Sequence, residues 1–287
     1  MKNSLDSAAL DAAIENVHRA GIPGVFAEVR AGDRVWRGAA GVADVATGRP
    51  VTAGMRHRVG SVSKTFAAAA VLQLAEAGRI GLDTPIGRYL PELVPGERGD
   101  AITVRMLIGH TSGLAEYLPH AYPSLKALPV VADTSPRSLD DHRFTRFDPV
   151  ELIGMGVTAP AVGTPGGAPG VYSNTNYLLL GRLLERVTGT PAEQYITRNV
   201  IERAGLRDTG FPTGAHLVEP HSRLYEVVGE RHHPQRGRVH HLGPPPPQQR
   251  PELLRPPLRR HPDREPHQGR RLPHTRITHR TSRSRVL

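Results

Sequence analysis

The chain contains no cysteine, which excludes a disulfide framework, a thiol nucleophile and a cysteine-ligated zinc site, and leaves the redox compartment open. Aromatic residues make up only 5% of its 287 residues, with a single tryptophan. Long apolar runs are missing too. The stretch Phe66 to Leu74 is too short to cross a bilayer, so no membrane span is expected. Near the start, Asp6, Asp11 and Glu15 stand where a secretion signal needs an apolar centre, so the chain as written is expected to stay in the cytoplasm.

Charge imbalance is absent from most of the sequence. The formal net charge is +10, but residues 229–287 hold 14 Arg against 4 acids, so residues 1–228 are neutral. A basic patch that releases counterions from phosphate would normally suggest a nucleic-acid partner. Here the arginines lie in a tail with no aromatic residue to stack on bases, which argues against that partner. The tail also holds 11 Pro and 8 His and no Ala, Lys, Phe, Tyr, Trp, Met or Asn. Such a segment cannot bury enough apolar surface to offset its ordering entropy, so it is expected to be disordered. An abrupt break into Arg, Pro, Gly and His is also what a frameshift in a GC-rich gene yields. Two regions follow: a folded domain over 1–228, incomplete at its C-terminal end, and an Arg/Pro/His-rich tail over 229–287.

Within the first region, Leu5, Leu10, Ala13, Ile14 and Val17 recur at helical spacing before Gly21-Ile22-Pro23-Gly24. Val25 to Val29 and Arg34 to Gly38 read as strands of a hairpin around Ala31-Gly32-Asp33, and a third strand-like run surrounds Val59. The period then changes. Phe66 to Ala75, Val104 to Ile108 and Tyr177 to Val187 read as helices, the last closed by Gly189 and Pro191. Ala115 to Thr145 and Thr158 to Gly170 have loop composition, and long ordered loops often line a site.

Ser61-Val62-Ser63-Lys64 opens the alanine-rich helix. Residues three apart are separated by roughly 60° around a helix, so Ser61 and Lys64 share a face and the amine can reach the hydroxyl. Helix N-terminal potential and an adjacent base are what activate a serine nucleophile. Tyr172-Ser173-Asn174 adds a phenol that can carry a proton and an amide that can hold a substrate carbonyl or the lysine. Each motif alone has a bland reading: a capping serine with a surface lysine, or a structural tyrosine with a capping Asn. Together they are expected by chance in only roughly 1–2% of chains of this composition.

Gly60-Ser61-Val62-Ser63-Lys64-Thr65-Phe66, Leu82-Asp83-Thr84-Pro85-Ile86, the run Ile102 to Leu114 with its His110-Thr111-Ser112-Gly113-Leu114, and Tyr172-Ser173-Asn174-Thr175-Asn176-Tyr177 together resemble successive signatures of the class C β-lactamase and D-alanyl-D-alanine carboxypeptidase family of penicillin-recognising serine hydrolases. Tyr-x-Asn, rather than Ser-Asp-Asn, is the mark of that branch. The resemblance covers roughly residues 10 to 225. It implies an α/β (α+β) fold of the β-lactamase/transpeptidase type: an antiparallel sheet flanked by helices plus a helical subdomain, the sheet incomplete in this chain. It further implies Ser61 as nucleophile, Lys64 and Tyr172 as proton-handling partners, Asn174 as the substrate-positioning amide, and no metal or organic cofactor. The substrate it implies is a small molecule or peptide with a reactive amide, ester or β-lactam carbonyl. His110 falls in a signature that resembles a structural turn.

One element of the pattern has no counterpart. Family members carry Lys or His, a small residue and Gly on a strand that donates a second oxyanion N–H. His241-Leu242-Gly243 and His267-Gln268-Gly269 match the letters, but Pro244 to Pro247 follow the first and Arg270-Arg271 the second, without the alternating apolar run of a buried strand. One missing oxyanion donor is worth about 10²–10³ in rate. An esterase or small-amide hydrolase of the same fold, and a non-catalytic binding remnant, are the alternatives to a carboxypeptidase or β-lactamase. Neither substrate nor oligomeric state can be read from these motifs.

Overall fold

In the computed structural model of the chain, the described residues are 5–122, 145–212, 214, 217–228 and 238–241. All belong to one unit spanning Met1–Gly243. Asp6 caps the first helix, α1 (Ser7–Arg19), by accepting the N–H of Ala9 at 3.0 Å. A hairpin follows, β1 (Gly24–Ala31) and β2 (Arg34–Asp44), antiparallel with Ala31 opposite Arg34. Gly32 takes φ 59° in the two-residue turn, a left-handed value a glycine adopts without steric cost. The short strand β3 (Arg49–Pro50) completes an open three-stranded antiparallel sheet in the order β1-β2-β3. Alternation along β2 buries Trp36 and Ala40, which meet Ile14 of α1 in a small satellite core. Trp36 finds a partner for its indole N–H in Asp11, at 3.1 Å.

The larger core is helical. A 3-10 turn at Gly60–Val62 leads into α2 (Ser63–Glu76), whose Ala67, Ala70, Val71 and Leu74 form one buried stripe at the i, i+3, i+4, i+7 spacing. The short helices α3 (Gly96–Ala101), α4 (Val104–Ile108) and α5 (Leu118–Ala121) come next, then α6 (Pro149–Thr158), α7 (Asn174–Thr188) and α8 (Ala192–Ile196). Helix α7 is the hub. Its Leu179, Leu180, Leu183 and Leu184 are fully buried, and it packs against α2, α4 and α6. Gly189, in the left-handed region at φ 68°, ends it.

The segment after residue 217 returns to the first sheet. Ser222 N–H donates to Arg56 O, Arg223 N–H to Ala43 O, and the Tyr225 hydroxyl accepts from Val45 N–H at 2.7 Å. The buried Asp44 pairs with Arg223 at 3.1 Å. This traffic corrects the reading of Val59 as a strand centre. Only Arg56 makes a bridge there, parallel to His221, and Val59 already leads into the 3-10 turn. Within the tail, Arg238–His241 forms β5, antiparallel to β4 (Tyr225–Val228); backbone pairing in a two-stranded ribbon does not require an alternating apolar face. The rest of 229–287, including His267-Gln268-Gly269 and the frameshift reading, lies outside the described residues, as do residues 123–144 of the Ala115 to Thr145 loop.

Candidate active site

Four side chains named from sequence spacing meet at one point. The 3-10 turn places Ser61 one turn before Lys64, and Lys64 Nζ donates to Ser61 Oγ at 3.1 Å. From the other side, Tyr172 Oη lies 2.8 Å from the same oxygen. The Lys64 ammonium also donates to Asn174 Oδ1 at 2.6 Å and sits 5.0 Å from the centroid of the Tyr172 ring. The serine hydroxyl is thus flanked by a cation one turn away and by a phenol 111 residues further along the sequence. That distance is bridged by α7, whose first residue is Asn174 and whose buried leucines lock it against α2.

Behind these groups lies a layer of polar partners. His110 has φ 56°, the left-handed region that few non-glycine residues occupy. Its ring stacks on Tyr172 with centroids 4.3 Å apart, and its Nδ1 accepts from Ser173 N–H and from the Asn176 amide, both at 3.2 Å. Ser112 donates to Asn176 Oδ1 at 2.6 Å and accepts from Leu114 N–H at 3.1 Å. The loop 162–170 presses on this turn so closely that a Cβ on Gly113 would sit 2.0 Å from Gly163 O, and one on Gly170 2.5 Å from His110 O. The His-Thr-Ser-Gly-Leu run is therefore a turn that orients Tyr172 from behind. His110 touches the phenol ring, and its Nδ1 hydrogen bonds go to Ser173 and Asn176.

The electrostatics agree with that division of labour. Burial works to raise the pKa of the Tyr172 phenol, but the hydrogen bonds with Lys64 and Ser61 and the lysine's charge outweigh it, leaving the group below its ordinary 10.0. His110 is shifted down from 6.5, first by burial and then by the Lys64 charge, and the Ser173 N–H aimed at Nδ1 makes that nitrogen the acceptor. Nearby, Tyr117 is pushed up to about 12, chiefly by burial and secondly by the Glu116 charge. Among the described residues, no group of three or more His, Asp or Glu is arranged to hold a metal ion.

Glu116 went unnoticed in the sequence. It lies just past Leu114, in a stretch read as a loop, and a single acid there carries no motif. Its Oε2 accepts both the backbone N–H of Asn174, at 2.7 Å, and the Asn174 side-chain amide, at 2.9 Å. The Ser173 side chain, at the capping position of α7, instead donates to Ala115 O at 2.9 Å. The carboxylate therefore takes over part of the cap. Of His241-Leu242-Gly243, which matches the third motif only in its letters, the backbone of His241 is described as the last residue of β5; Leu242 and Gly243 lie outside the described residues.

The mouth of the site is open. Val59, Val62, Val171 and Tyr172 are 54%, 57%, 42% and 49% exposed, and Ser61 itself is exposed. Among the described residues, no helix is long and apolar enough to cross a membrane.

Comparison with known proteins gives consistent results. The family model described as Beta-lactamase matches residues 10–268, so the match runs past the compositional break at 228. The chain is 32% identical over 217 residues to "Esterase EstB" of Burkholderia gladioli, covering 72% of this chain and 53% of the esterase. It is 25% identical over 188 residues to "Penicillin-binding protein 4*" of Bacillus subtilis, covering 65% of this chain and 37% of that protein. Among solved structures it is similar to a D-stereospecific amidohydrolase from Streptomyces sp., with a TM-score of 0.69 and 34% identity over 83% of this chain and 65% of that one. The chain spans about half the length of the first of these curated relatives, and less of the second.

Proposed function

Because the chain belongs to the Beta-lactamase family, we propose that it is a serine hydrolase working through an acyl-enzyme, with Ser61 as nucleophile, Lys64 and Tyr172 as its proton-handling partners, and Asn174 as the amide that positions lysine and substrate. The observation that carries this reading is the convergence of Lys64 Nζ and Tyr172 Oη on Ser61 Oγ, at 3.1 and 2.8 Å. Ionised Tyr172 takes the proton from Ser61 Oγ as that oxygen bonds to the substrate carbonyl carbon. The adjacent ammonium stabilises both oxygen atoms. The carbonyl oxygen becomes an oxyanion facing the Ser61 N–H at the start of the helical turn. Collapse breaks the bond to the leaving group, which receives the proton held by Tyr172. Water then attacks the ester, passing a proton through the same phenol, and Ser61 is restored.

The substrate is a small amide or ester, or a lactam carbonyl. The esterase and the amidohydrolase, both above 30% identity, support the ester and amide end of that range for this chain. A second reading, a binding protein that no longer turns over, is favoured by one observation: among the described residues, no strand carries the complete third motif. The two readings separate on a serine-directed acylating probe followed by peptide mapping. Labelling at Ser61, abolished by Ser61→Ala, is expected. A label on Ser112 or Ser173, or no stable label at Ser61 with any activated ester or fluorophosphonate, overturns the hydrolase reading.

A further inference from the structure

The Asn174 side chain has two chemically opposite ends, and the site works with only one of them facing Lys64. With Oδ1 toward the ammonium, the lysine gains an acceptor at 2.6 Å. With the amide turned over, two donors would face each other and the contact would be repulsive. What selects the first orientation is the far end of the same amide, whose NH₂ lies 2.9 Å from Glu116 Oε2. A carboxylate can only accept, so it takes the NH₂ and rejects the carbonyl oxygen.

Glu116 is itself held in place. Its Oε1 accepts the Leu118 N–H at 3.0 Å, while Oε2 also accepts the Asn174 backbone N–H at 2.7 Å, at the first residue of the fifteen-residue helix α7. Negative charge is favoured at that helix end, which adds to the carboxylate's hold. Three N–H groups from two segments thus converge on one carboxylate, and each of its oxygens serves as an acceptor. An isosteric glutamine has one acceptor oxygen and one NH₂. It can satisfy the Leu118 side or the Asn174 side, but not both.

We propose that Glu116 is a positioning residue for the acylation step: by accepting from both the backbone and the side-chain N–H of Asn174, it fixes the amide so that its carbonyl oxygen, rather than its NH₂, faces Lys64. This rests on the reading of Ser61 and Lys64 as the acylation machinery, and the test has one arm that does not.

The first arm uses the full chain and its Glu116→Gln variant, with a fluorophosphonate whose labelling is resolved into a binding constant and a maximal rate. The maximal rate falls about 10–100-fold in Glu116→Gln, with binding changed less than about twofold. In an Asn174→Ala background the same substitution changes the rate less than about twofold, because the group through which it acts is gone. An equal loss in both backgrounds, or a loss confined to binding, overturns the proposal. The second arm needs no reactivity. The chain has five asparagines, so selective ¹⁵N labelling gives few side-chain amide pairs. The pair assigned to Asn174 through Asn174→Ala is displaced in the wild type by its carboxylate partner and shifts toward the free-amide position in Glu116→Gln. An unmoved pair refutes the proposal, whereas a moved pair in a protein that no probe labels leaves the orientation intact and refutes the hydrolase reading alone.

Discussion

The two sides of Ser61 are built differently. On the inner side, two sets of hydrogen bonds lie side by side, one running from Lys64 through Asn174 to Glu116 and the other from His110 through Asn176 to Ser112, backed by the buried stripes of α2 and α7. On the outer side, Val59, Val62, Val171 and the edge of Tyr172 face open space. Among the described residues, the hydrogen bonds around Ser61, Lys64 and Tyr172 come from residues between 61 and 176.

If the contrast is real, substitutions on the two sides should differ in kind. The largest stability effect is expected deep on the inner side. Leu183→Ala removes a fully buried side chain from the α7 stripe and should cost about 2–5 kcal/mol, read by chemical denaturation. A loss under about 1 kcal/mol would mean that α7 is not the hub.

A smaller effect comes from His110. Its pKa is lowered on folding, so the unfolded chain binds the extra proton first. The His110 contribution is therefore complete above pH 6.5 and is lost as pH falls below that value. His57, also lowered by burial, adds a contribution of the same sign. His110→Asn, which tolerates the left-handed backbone, should flatten the fall in stability between pH 7 and 5 but leave the His57 share. An unchanged slope would detach His110 from the inner network.

The smallest effect is expected outside. Val62→Ser should alter stability by no more than about 0.5 kcal/mol, since the side chain is 57% exposed. A cost like that of Leu183→Ala would show this face to be covered in solution.

What could be read from the sequence follows the same division. Ser61 and Lys64 were legible because helix geometry converts a spacing of three into a shared face, and Tyr172 and Asn174 because their pattern stands just before a strongly periodic helix. Helix α7 was read nearly to its ends, with Gly189 marking the stop. Helix α6 was missed although its signals were present: Asp148 caps it, Pro149 opens it, and Leu152, Ile153 and Val157 fall on one face. Glu116 was not legible at all, because its role is defined by contacts 58 residues away. The Val59 region misled for a related reason. Its apolar neighbours look strand-like, but the partner of Arg56 is His221, and only the folded chain brings the two together.

The proposed chemistry requires Ser61, Lys64 and Tyr172 to act as one unit, and the most direct measurement is the single-turnover acylation rate of Ser61 in the wild type, Lys64→Ala, Tyr172→Phe and the double variant, across pH. Each single substitution should lower the rate by about 10²–10⁴, with the double variant little worse than either. The wild-type rate should rise with pH through the lowered pKa of Tyr172, a limb that Tyr172→Phe lacks. Independent, multiplying losses, or a Tyr172→Phe variant that keeps both its rate and its pH limb, would contradict the account.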